Sequence, residues 1–185
     1  MRRRTTWRRT LILAFAGAWL PAQGLADTFA ECAGRAYAQD VAGKQEWHRS
    51  LRDLIVKEKP NLAALATLDM EHQLAVVDRR QAQFGYLVRT DVRRIRTREG
   101  LATFRNFDWT DTDAVVLRQQ SPGYVAMERQ VVDLERRTKE HQDGATLREY
   151  VRAALGADSQ FQGLLKRFQE HESTIGHLLE KCQPR

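Results

Sequence analysis

Two histidines, His141 and His171, sit at seam positions normally held by leucine, and a third, His72, lies on the edge of another helix's apolar arc. His171 falls in the series Phe161, Leu164, Phe168, His171, Ile175, Leu178 and Cys182, an alternation of threes and fours that forms one stripe of a helix. His141 ends a similar series of Tyr124, Met127, Val131, Leu134 and Thr138, and His72 lies one turn from Leu68 and Val76. Imidazoles from three helices that converge on one interior suit zinc, copper or iron. A His pair, or a His with Met70 or Met127, suits haem. The competing reading makes each a partly buried histidine near a bundle end, with His141 helped by the helix dipole beside Gly144. His48 and His177 read as surface residues.

More specific chemical signatures are absent from the sequence. It has no Cys-x-x-Cys-His and no His-Glu-x-x-His. A di-iron bundle needs two Glu-x-x-His pairs, and only Asp69-x-x-His72 occurs. Asp108, Asp111 and Asp113 lack the layout of a calcium loop and read as helix capping. Ser50, Ser121, Ser159 and Ser173 occupy no Gly-x-Ser-x-Gly elbow. There is no glycine-rich phosphate loop either. An enzyme therefore ranks third among the readings, and no cofactor is expected.

The clearest charged patch is Arg89, Arg93, Arg94, Arg96, Arg98 and Arg105, next to the aromatic stretch of Phe104, Phe107 and Trp109. Arginine forks fit carboxylate and phosphate, and arginine with aromatics is favoured at interface centres. The patch is the place for a binding surface facing another envelope protein or an anionic surface. The plainer alternatives are a solvated helix end and an aromatic cluster folded over the end of the bundle.

Residues 1–26 read as a cleaved signal peptide. Arg2, Arg3, Arg4, Arg8 and Arg9 precede an apolar run from Leu11 to Leu20, and Gly24 and Ala26 stand at the −3 and −1 positions before Asp27. Arg8-Arg9-Thr10-Leu11-Ile12 also fits a loose twin-arginine pattern, so general and twin-arginine export both stand. The apolar run is shorter than the roughly 20 residues a membrane span needs, and no transmembrane segment is expected in the mature chain. The chain has 30 Lys+Arg against 24 Asp+Glu, and removing the five arginines of residues 1–26 leaves 25 against 24. That balance argues against nucleic-acid binding. Localisation is read as exported, periplasmic or secreted. In an oxidising compartment the two cysteines are most simply a Cys32–Cys182 disulfide, with metal ligation by free thiols as the alternative.

The elements that must position these residues are helical throughout. The pattern predicts helices over 28–42, stopped near Gly43, and over 45–57, halted before Pro60. Asn61 caps a third helix that runs to about Arg98 and ends at Gly100, either continuous in an elongated bundle or broken near Gly85. Residues 101–110 read as irregular. Thr110 with Asp113 resembles a capping box for a helix to Gln120, Pro122 opens the next helix, and that helix stops at Gly144. Leu147 to Leu155 forms a short helix closed by Gly156, and Asp158 or Ser159 caps the last. The expectation is a single all-α domain over 27–185, an elongated antiparallel helical bundle with its N- and C-terminal helices joined by the disulfide. The heptad spacing also suits a coiled-coil partner in another subunit. The functional expectation is an exported, non-catalytic binding or interaction protein of a bacterial-type cell envelope. A metal- or haem-binding bundle using His72, His141 and His171 is the alternative.

Overall fold

The computed structural model describes residues 28–182, so the expected signal peptide lies outside the described residues. Seven α-helices follow one another: α1 (Phe29–Glu58), α2 (Ala63–Thr90), α3 (Gly100–Arg105), α4 (Asp111–Gln120), α5 (Pro122–Glu140), α6 (Gly144–Ala157) and α7 (Ser159–Lys181), with short 3-10 turns at Pro60–Leu62 and Val92–Arg94. No strand occurs among the described residues. The fold is the predicted antiparallel bundle. The tight turn at Pro60–Leu62 folds α2 back along α1, and α7 and α5 pack against α1 and α2 respectively. At 1.5 Å per residue the 30-residue α1 is about 45 Å long.

Local chemistry sets most of the helix starts. Thr28 and Glu31 form a capping box on α1, and Thr110 and Asp113 form the predicted one on α4. Ser121 caps α5 with Pro122 at its first position. On α7 the cap is Asp158 rather than Ser159, its carboxylate accepting the backbone N–H groups of Gln160 and Phe161.

Several boundaries differ from expectation: Asn61 lies in the 3-10 turn and does not cap α2, and α6 spans Gly144–Ala157 rather than Leu147–Leu155. The segments 28–42 and 45–57 are one helix, because Gly43 is an approach point rather than a stop. A Cβ there would stand 2.1 Å from Nε2 of His171, so the missing side chain lets α7 close on α1. The third helix ends at Thr90, not Arg98; Asp91 turns extended and Ile95 is drawn into the core. Gly100, at φ +85°, begins α3 instead of ending α2, which gives the stretch read as irregular a short helix. α2 runs unbroken through Gly85, and α5 stops at Glu140 with His141 as its C-cap.

The core is divided along the bundle. At the cysteine end Tyr37 and Phe84 stack at 3.8 Å, with Phe104 and Phe107 edge-on to both rings. At the far end Ile55, Leu62, Leu65 and Phe161 form a separate buried cluster. Ala75, Val131 and Leu134 close the contact of α2 with α5.

Candidate functional site

Cys32 and Cys182 are joined, with Cα atoms 5.3 Å apart and a sequence separation of 150. The bridge ties the first turn of α1 to the last residue of the α7 seam. In the chain-entropy picture a loop of this length contributes about 4–5 kcal/mol at most. No helix among the described residues is long and apolar enough to cross a membrane.

The predicted histidines are held apart in separate local settings. His171 places Nε2 3.0 Å from the Gln39 carbonyl oxygen, so that nitrogen carries the proton and binds α7 to α1. His141, at the end of α5, accepts the Asp143 N–H on Nδ1 at 3.3 Å. His72 lies on α2 near Asp69, whose carboxyl is pushed up by burial. Among the described residues no three His, Cys, Asp or Glu side chains are grouped to hold a metal ion. His48, expected at the surface, is instead half-buried in α1; burial and then the charge of Lys44 push its pKa down to about 4.

The arginine patch divides into structural and exposed members. Arg94 forks onto Asp113 at 2.9 and 2.6 Å and also donates to the Asp108 carbonyl. Arg94 accordingly holds the Asp113 carboxyl well below the usual range. Arg105 reaches the fully buried Asp40 at 2.6 and 3.0 Å and also pairs with Glu172, so α3 is bolted to α1 and α7. Burial opposes that guanidinium's charge, but the two carboxylates outweigh it and raise its pKa. Arg93 and Arg96 stay exposed, paired locally with Asp91 at 2.9 Å and Glu99 at 3.6 Å. Arg98 is exposed as well. Phe104 and Phe107 are buried and correct the idea of an exposed recognition loop: their rings complete the Tyr37–Phe84 core. Trp109 is half-buried against Tyr86, with centroids 5.8 Å apart.

Two of the concavities near these charges combine cationic and apolar lining. One is an apolar groove of about 390 Å³ at the cysteine end, lined by Phe29, Val92 and Ile95 and rimmed by Arg93 and Arg96; we term it the collar. The other is a recess of about 280 Å³ among α1, α2 and α7, lined by Tyr37, Lys44, Trp47, Arg80 and Phe168 among others. Its charged lining was not read from the sequence, although one signal was present. Asp40 interrupts the apolar stripe Ala33, Ala36, Tyr37 and Val41 on the buried face of α1, and a buried acid demands cations close by. Lys44 meets it at 2.8 Å.

Comparison with family models, curated proteins and solved structures returns no match.

Proposed function

We propose that this chain is an exported, non-catalytic interaction protein of a bacterial-type cell envelope, and that it binds a partner protein at the collar. The observation that carries the reading is the collar itself, with exposed guanidinium groups on the rim of an apolar floor. That combination fits a partner segment carrying both acidic and apolar side chains, because charge complementarity steers the encounter while apolar burial holds the complex. Export is supported by the arginine-rich, then apolar, then small-residue order of residues 1–26. The Cys32–Cys182 bridge suits an oxidising compartment. A non-catalytic role fits the way Arg94 and Arg105 spend their charge on Asp113, Asp40 and Glu172, in pairs that hold the fold together.

The test places a photo-crosslinking amino acid at Val92 in an exporting host, with Val132, 62% exposed on α5, as the control position. The expected result is an adduct from position 92 alone, mapping to an acidic segment of the partner and lost in the Arg93→Glu/Arg96→Glu variant. Equal labelling from position 132, or no adduct from position 92, overturns the collar as the binding face. The mass of the exported protein checks the leader separately, with Asp27 expected as its first residue.

A further inference from the structure

We propose that the recess among α1, α2 and α7 is a binding site for a small aromatic carboxylate. It shares no residue with the collar, so it adds a second site to the reading above. The first argument is charge. Lys44, Arg80 and Arg105 face two acids, Asp40 and Glu172. Asp40 is engaged by both Lys44 and Arg105, and Glu172 by Arg105. Arg80 has no carboxylate within ion-pair reach among the described residues. It donates to two neutral oxygens, Gln83 Oε1 at 3.1 Å and the Arg105 carbonyl at 2.7 Å, and its guanidinium lies 4.2 Å from the centre of the Phe107 ring. A guanidinium has five N–H donors and keeps its charge, so with two donors engaged Arg80 retains three and one unit of charge for an incoming anion.

That single excess charge selects the ligand class. A monoanion balances it, whereas a dianionic phosphate would ask for a second uncommitted cation. Nor does His48 supply one, since at a pKa of about 4 it is neutral at pH 7. The second argument is shape. Trp47 and Phe168 lie with ring centroids 5.0 Å apart on the wall of the recess, and the buried Tyr37 borders it. These surfaces fit a flat apolar body, and a volume of about 280 Å³ admits a small molecule rather than a polymer. The carboxylate sits toward Arg80 and Lys44, and the ring against Trp47 and Phe168.

The probe is 4-fluorobenzoate, titrated into the oxidised exported protein and followed by fluorine NMR and by the indole N–H signals of Trp47 and Trp109. Saturable one-site binding that shifts Trp47 and spares Trp109 is expected. Neutral 4-fluorobenzamide should bind at least tenfold more weakly, a comparison that needs no variant. Arg80→Met should weaken 4-fluorobenzoate binding at least tenfold with helicity and Tm retained; if that variant fails to fold, the amide comparison decides alone. Equal binding of acid and amide overturns the proposal. So does a Trp47 signal that moves with neither 4-fluorobenzoate nor a panel of other small aromatic carboxylates at millimolar concentration.

Discussion

At the scale of single residues, position 43 shows how one missing side chain sets the distance between two helices. Glycine inside a helix costs about 1 kcal/mol relative to alanine, yet the His171 ring occupies the volume an alanine Cβ would need. Gly43→Ala should therefore displace the ring and break its bond to the Gln39 carbonyl, whereas in a His171→Ala background the same change should stabilise by about 1 kcal/mol. A double-mutant cycle measured by denaturant unfolding checks this, and additive effects would show that the two residues do not meet. Asp113 supplies a second residue-scale test. Its pKa is depressed in the folded state, chiefly by Arg94. Its contribution is therefore complete above the unfolded-state value of about 3.9 and is lost as pH falls toward the folded-state value. Asp113→Asn should make the dependence of unfolding free energy on pH shallower below about pH 4 and leave it unchanged near neutrality, read from urea midpoints across that range.

At the scale of elements, the segment between α2 and α4 is held by long-range pairs rather than by its own propensity. Arg94 reaches Asp113 across nineteen residues, and Arg105 reaches Asp40 across sixty-five. Arg94→Met should free this segment from α4, so amide exchange should accelerate at Leu101–Phe104 while α1 and α7 keep their protection; uniform acceleration would instead mean that Arg94 supports the whole bundle. The same distances explain what is legible in the sequence. Caps at Thr110 and Asp158 depend on groups within three residues, the α5 start on Pro122, and the α5 and α7 stripes on periodicity, so these elements were legible. Gly43 and Gly100 both read as stops, because whether a glycine ends a helix, opens one or admits a neighbour is decided by tertiary contacts. Arg94 and Arg105 looked like members of one exposed patch, because no local pattern reveals that their carboxylates lie far along the chain. The recess escaped the reading for the same reason: Lys44, Arg80 and Phe168 come from three helices, and its one signal was Asp40 on the apolar face of α1.

At the scale of the whole molecule, the disulfide braces only the end that holds Tyr37, Phe84 and Ile175, while the cluster around Ile55 and Phe161 has no covalent link. Reduction should therefore speed amide exchange at Ala33–Tyr37 and Ile175–Leu179 more than at Leu62–Ala66. It should also lower global stability, with about 4–5 kcal/mol as the ceiling. Thermal unfolding with and without reductant measures the second quantity, and an unchanged Tm would remove the bridge from the stability account. The bridge also decides how the protein responds to tension. A load applied between its two ends enters at Cys32 and leaves at Cys182 through the sulfur atoms, so the 150-residue loop carries none of it. The helices would be shielded from mechanical stretching for as long as the bond is oxidised. Once it is cut, the same loop could pay out about 50 nm of chain, making the cystine a fuse between a stiff peg and a long tether.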